Sequence, residues 1–263
     1  MWLVLQSDGL SETSGVFWWD TVRSVCGRFV SSSPPAQIAS FFGASFEGDA
    51  LAPSYNVAPT NDVYAVVAPP DDGRILRAFH WGLVPVWAKD DKIGSKMINA
   101  RAETLAEKPS FKGLLKNRRC IIPMDGFYEW QAPAPGAPLG PTGKPAKQPM
   151  YIHRADGRPL AVAGLWTAWR DKAGPADAPW LHSCTVITTA ANATMAPVHD
   201  RMPALLGEDA WHEWLNPADQ DLAALSSLLV PAAEGLLVMH AVSNQVNFVR
   251  NKGAELIAAA DIC

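Results

Sequence analysis

The sequence predicts an α+β fold in one domain with largely antiparallel strands. Three observations predict it. Strand-length apolar runs and short helical patterns follow one another without the regular strand–helix–strand spacing of a parallel sheet. The chain has 263 residues, 48% of them hydrophobic, which suffices for one large packed core. The single long Pro/Gly-rich stretch has strands of the same character on both sides, and there is no internal repeat.

The elements follow in order. Pro35 to Phe42 reads as a short helix with proline in its first turn. "DVYAVVAP" and "RILRAFHWGLVP" read as strands around the turn "PDDG". Ala102 to Lys116 is helical in pattern and broken near Pro109. "RCIIPMDGFYEW" gives two strand pieces around a turn. Residues 131–149, "QAPAPGAPLGPTGKPAKQP", form a surface loop, expected as the tip of an elongated hairpin rather than a domain linker. "MYIHR", "PLAVAGLWTAW" and "SCTVITT" are further strands. "EDAWHEWL" and "DQDLAALSSLL" are short amphipathic helices, and "GLLVMHAV" is a late strand.

Composition excludes several classes. The net charge of −4 is not that of a chain that coats nucleic acid indiscriminately. Yet Trp87 to Arg119 holds nine Lys/Arg against four Asp/Glu, a basic island that fits either a local anion site or a solvated surface. Cys26, Cys120, Cys184 and Cys263 are scattered without a CxxC pair, so neither a zinc site nor a disulfide framework is indicated, and no metal or cofactor is expected. No run is long and apolar enough to span a membrane, and residues 1–25 lack the charged and apolar regions of a signal peptide. A reducing cytoplasm is the expected compartment.

Several residues are candidates for chemistry. Glu129 in "GFYEW" is flanked by aromatics, which would desolvate its carboxylate and make it a general acid or base; the alternative is an exposed glutamate on an edge strand. His199 in "APVHDRMP" lies in an apparent loop, as a proton carrier or as a turn cap. Asn99 and Arg101 in "MINARAET" precede a helical pattern. They would orient a reacting group and bind phosphate, or form a helix cap and a surface salt bridge with Glu103 or Glu107.

Together with "CGRF" and "YNVAP", these blocks change the reading. In order, "CGRF", "YNVAP", "HWGLVP", "INARAET", "DGFYEW", "HDRMP" and "NKGAELI" run from Cys26 to Ile257. The chain resembles the SOS-response-associated peptidase (SRAP) family, whose members trap abasic sites in single-stranded DNA. The resemblance implies a barrel-like β core flanked by short helices, over residues 26–263. It implies that Cys26 is the nucleophile, its free α-amine forming a Schiff base with the abasic aldehyde and its thiol closing a thiazolidine ring. Asn99 would hold the amine. Glu129 would serve as acid and base, and His199 would assist sugar opening. Arg28, Arg101 and Arg201 fall on phosphate-contact positions. Asn56, Pro59 and Thr188 are further DNA-side or pocket positions. Trp87 would stack on a base or sugar, and Trp81 would do so or pack in the core. The implied partner is single-stranded DNA containing abasic sites, bound by a monomer near the bacterial nucleoid.

The chemistry favours an N-terminal cysteine. An α-amine has a pKa of about 7.7–8.0 against about 10.4 for lysine, so far more of it is uncharged at neutral pH. An amide nitrogen inside a chain cannot form a Schiff base. Residues 1–25 are therefore a departure from the family pattern. Three expectations follow: translation truly starts at Val25, or the leader is removed by self-cleavage, or it stays and the chain cannot crosslink. A cysteine peptidase acting on other proteins through Cys26, His199 and Glu129 is a competing reading. A non-catalytic reader of single strands is another.

Overall fold

The computed structural model describes residues 26–260 except 71, 134–135, 137–142, 144 and 176; the expected leader, and much of the loop within 131–149, lie outside the described residues. The strands in chain order are β1 (Phe29–Ser31), β2 (Ser45–Phe46), β3 (Ser54–Val57), β4 (Asp62–Val67), β5 (Ile75–Trp81), β6 (Asn99–Arg101), β7 (Arg119–Met124), β8 (Gly126–Gln131), β9 (Gln148–Arg154), β10 (Leu160–Trp169), β11 (Leu181–Ala190), β12 (Arg201–Pro203) and β13 (Leu237–Ala241). The helices are α1 (Pro35–Phe42), α2 (Pro109–Asn117), α3 (Trp211–Leu215) and α4 (Leu222–Ser227), with several single 3₁₀ turns.

Five strands close on themselves. The order β11–β10–β7–β4–β5 runs antiparallel, and a parallel pairing of β5 with β11 completes the ring. Closure removes the edges that an open sheet would leave unpaired. Alternation along β10 then sorts its side chains. Val162 joins the central cluster with Cys120, Ile122, Cys184 and Val186. Ala161, Ala163 and Leu165 face outward into a cluster with Phe42, Phe111, Leu115 and Trp214 of the helices. Gly164 faces inward, where a Cβ would sit 2.9 Å from both Cys120 Sγ and Ile122 Cδ1. Only glycine fits that close approach.

Arg119 fastens the helices to the barrel. Its guanidinium donates to Leu115 O and Lys116 O at the end of α2, and to Trp214 O and Asn216 O at the end of α3. One side chain thus satisfies carbonyls that two helix ends leave unpaired. Burial holds its pKa below the usual arginine value.

The second sheet has the order β13–β9–β8–β1–β3, all antiparallel. The expected hairpin is present: β8 pairs with β9 out to Gln131 opposite Gln148, with the Pro-rich loop between them. The turn expected in "PMDGF" is a corner at which the chain leaves the barrel for this sheet. Asp125 holds it. Its Oδ2 accepts from the backbone N–H groups of Ser32 and Ser33 at 2.6 and 3.0 Å, and its Oδ1 accepts from Ser33 Oγ at 2.6 Å.

Most long elements fall where the sequence places them. The very short strands do not. Asn99 to Arg101 form strand β6, which leads directly into a 3₁₀ turn at Ala102–Thr104, and Arg201 is not in a loop but opens β12. Three residues carry no alternation of their own; their pairing with β11 makes them strands.

Candidate active site

The β1–β8 register sets the site. Phe29 faces Phe127 and Val30 faces Gly126, so the chain just before β1 runs alongside Glu129. The backbone nitrogen of Cys26 donates to Glu129 Oε1. Strand β8 is interior to its sheet, flanked by β9 and β1, so the exposed edge-strand alternative for Glu129 does not hold. Glu129 is 4% exposed. Burial pushes its carboxyl up to about 8; hydrogen bonds from the Cys26 and Trp130 backbone oppose this, and the charge of Asp200 adds to it. At neutral pH the group is therefore largely a protonated acid. Cys26 is buried too, and its thiol is held well above its usual value by burial and then by Glu129.

Strand β11 assembles the remaining groups. Its parallel pairing with β6 sets Asn99 beside Val186 and Arg101 beside Thr188. Its antiparallel pairing with β12 sets Ala190 beside Arg201. The even spacing puts Asn99, Arg101, Thr188 and Arg201 on one side, the side on which Val186 joins Cys26 and Phe127 in the central cluster. Arg201 grips Glu103 with both terminal nitrogens, at 2.8 and 3.0 Å, and donates to Thr188 O at 2.6 Å and Thr188 Oγ1 at 3.2 Å. The alternative reading paired Arg101 with Glu103 or Glu107, but the β12 register gives Glu103 to Arg201, which holds the Glu103 carboxyl below its usual range. Arg101 is left exposed on the same side.

His199 lies in the turn before β12. Its Nδ1 sits 3.1 Å from the Arg201 backbone N–H and 2.8 Å from Asp200 Oδ1. The two contacts ask for opposite proton positions. A bare Nδ1 accepts from Arg201, and a protonated Nδ1 donates to Asp200. The ring can therefore gain or lose a proton there and keep a partner either way. Asp200 shares the loop between two prolines with His199 and Arg201, and its contact with Nδ1 gives it a role that the sequence does not assign.

Two expected DNA contacts are buried in hydrogen-bond networks of the protein itself. Asn56 is fully buried, and its Nδ2 donates to Val246 O, Phe248 O and Asn251 O at 3.1, 3.2 and 3.0 Å. Its Oδ1 accepts from Arg28 Nη1 at 2.7 Å, and Arg28 also donates to Val246 O at 3.0 Å. With Lys252 Nζ bonded to Asn56 O at 2.5 Å, this network ties the 246–252 segment to β3. Arg28 is 3% exposed, and burial lowers its pKa to about 10. Both side chains are turned into the protein interior. Thr188 is likewise buried, and its chain oxygens are taken up by Arg201.

Of the tryptophans, Trp81 is core. It is fully buried, edge-on to Phe29 at 4.9 Å, and bonded to Ile98 O at 3.1 Å. Trp87 is exposed, on a loop whose Ala88 O accepts from Trp169 Nε1 at 2.9 Å. That anchor lies toward the Leu181 end of β11, away from Thr188. Pro59 is half-buried in the turn after β3. Among the described residues no three His, Cys, Asp or Glu side chains are grouped to hold a metal, and no helix is long and apolar enough to cross a membrane.

A cysteine whose backbone nitrogen donates to a buried carboxyl, on an α+β barrel, is the candidate site of this class of fold. The chain belongs to the SOS response associated peptidase (SRAP) family, whose model matches residues 25–249. It is 41% identical over 237 residues to "Abasic site processing protein YoaM" of Bacillus subtilis, covering 89% of this chain and 98% of that one. It is 32% identical over 240 residues to "Abasic site processing protein HMCES" of Gallus gallus, covering 80% of this chain and 67% of that one. Among solved structures, a Bacteroides thetaiotaomicron protein superposes with a TM-score of 0.77 at 25% identity, covering 89% of this chain and 100% of that one. The fold is thus the family's, as the sequence blocks imply.

Proposed function

We propose that the protein recognises abasic sites in single-stranded DNA and traps them covalently through Cys26. The observation that carries this reading is the Cys26 nitrogen held against Glu129, a carboxyl kept protonated near neutrality. The abasic site processing proteins among its relatives point to the same lesion.

The working form in this proposal begins at Cys26. Its free amine adds to the C1′ aldehyde of the opened deoxyribose, giving a carbinolamine. Glu129 gives its proton to the carbinolamine hydroxyl, and water leaves. The thiol sulfur then bonds to C1′ of the iminium, the C=N pair returns to nitrogen, and the thiol proton restores Glu129. The product is a thiazolidine. His199, with its alternative partners at Nδ1, carries the proton that opens the sugar ring. Arg101 and Arg201 position the flanking phosphates, and Asn99 orients the amine.

The same contact suits self-cleavage. Attack of the Cys26 thiol on the preceding carbonyl moves the acyl group from nitrogen to sulfur, and the nitrogen that leaves is the one facing Glu129, which protonates it. Water then hydrolyses the thioester and frees Cys26. A peptidase acting on other proteins fits less well, because a second chain must reach the thiol, and Cys26 is buried.

The test is a chain starting at Cys26, mixed with single-stranded DNA carrying one abasic site and run on a denaturing gel. A heat-stable shifted band that disappears with Cys26→Ala is expected. No band from the Cys26-started chain overturns the reading.

A further inference from the structure

We propose that the opposite mouth of the barrel, lined by Arg77, Arg118, His182 and Trp166, is a second site that binds a phosphate group. It is independent of the chemistry assigned to Cys26.

The inward-facing row of β11 runs from His182 through Cys184 and Val186 to Thr188, and the two ends lie about 20 Å apart at the usual strand rise. Thr188 belongs to the candidate active site. His182 belongs to a separate cluster. Its ring lies 5.9 Å from Phe79 and 6.1 Å from Trp166. Arg77 stands over Phe79 at 5.3 Å and Trp166 at 5.8 Å, and Arg118 stands over Trp166 at 4.3 Å. Two guanidinium groups and an imidazole thus converge on one tryptophan.

Among the described residues, no carboxylate is paired with Arg77 or Arg118. The cavity here measures about 710 Å³, and none of its described lining residues is an aspartate or glutamate. Asp219, between two lining residues, accepts from Asn216 Nδ2 at 3.0 Å, and its charge acts on Arg119. Arg77 Nε is buried and has no hydrogen-bond partner among the described residues. The unbalanced charge is felt by His182, whose pKa is lowered by burial and then by Arg77 and Arg118. An anion between the three groups relieves that repulsion and satisfies the orphaned Nε. Guanidinium forks select phosphate geometry. The volume suits a small ligand and admits a mononucleotide. A neighbouring cleft of about 600 Å³ shares Arg118 and His182 and adds Lys172 and Trp180, a continuation suited to a longer phosphodiester chain.

The test follows the His182 ring by NMR in the full chain and in its Cys26→Ala variant, so that the two sites are read separately. Inorganic phosphate, a deoxynucleoside monophosphate and a lesion-free oligodeoxythymidylate are added in turn, against sodium chloride at equal ionic strength. Phosphate is expected to give a saturable shift and to raise the His182 titration midpoint. Arg77→Gln and Arg118→Gln should each weaken binding roughly tenfold. Tightest binding of the monophosphate identifies a free nucleotide as the source; tightest binding of the oligonucleotide, falling steeply with salt, identifies a nucleic-acid backbone. Both support a phosphate site. A response to chloride equal to that with phosphate overturns it. So does unchanged affinity in the exposed Arg118→Gln variant.

Discussion

The backbone nitrogen of Cys26 donates to Glu129 Oε1 across the β1–β8 pairing. That contact joins the two ends of the proposed reaction, nucleophile and acid, without an intervening group. It separates the two functions of cysteine in a simple experiment. In a chain starting at residue 26, Cys26→Ser keeps the amine and loses the thiol. It should form a Schiff base that borohydride traps, but no heat-stable adduct. Cys26→Ala should behave the same way. Stable adduct from either variant, read on a denaturing gel with abasic single-stranded DNA, would exclude the thiazolidine.

Glu129 makes the stability of the full chain depend on pH. Its folded value is about 8, above the ordinary carboxyl value near which the unfolded chain titrates. Between those limits the folded state holds more protons than the unfolded state. Stability should therefore fall as pH rises from about 4.5 through about 8, by at most a few kcal/mol. Glu129→Gln removes the titration and keeps the shape. Urea unfolding at pH 5 and pH 8 should show the variant gaining on the wild type as pH rises. Parallel curves would mean that Glu129 is ionised in the folded protein.

Asn56 predicts a stability effect where a DNA contact was expected. Its buried amide serves three backbone carbonyls and the guanidinium of Arg28. Asn56→Ala leaves those groups without their partner and should cost about 2–4 kcal/mol. The measurement is the denaturant midpoint. A variant as stable as the wild type, but weaker on DNA, would return Asn56 to the binding surface.

The difference between these residues shows what was legible in the sequence. Glu129, Asn99, Arg101, His199 and Arg201 sit in blocks whose residue types suit the chemistry, and the strands that carry them converge on one side of β11 and β8. Arg28 and Asn56 sit in equally recognisable blocks, but a short motif does not say whether a side chain faces solvent or a buried carbonyl. That depends on the 246–252 segment, nearly two hundred residues from Asn56. The barrel-like core came from the family resemblance and not from strand patterns, for a similar reason. Its closure is a parallel pairing of Ser183 and Cys184 with His80 and Trp81, and no local pattern encodes a contact of that separation. Long strands such as β10 announce themselves by alternation, whereas three-residue strands such as β6 exist only because a partner is there.

Arg201 offers a prediction that separates a phosphate ligand from a structural ion pair. In this structure its guanidinium is bidentate on Glu103, which is half in solvent, and its inner face is bonded to Thr188 O. A partly exposed pair of this kind contributes little to stability, on the order of 1 kcal/mol. A phosphate approaching from solvent meets the same fork and can take the place of the Glu103 carboxylate. Arg201→Ala should then lower affinity for single-stranded DNA at every sequence and reduce the slope of log affinity against log salt by about 0.7. Glu103→Gln should do the reverse, tightening binding, because the fork no longer holds an anion before DNA arrives. Fluorescence anisotropy across a salt series reads both effects. If Arg201→Ala destabilises the fold and leaves the salt slope unchanged, the pair with Glu103 is the whole role of Arg201, and the strand's phosphates are held by Arg101.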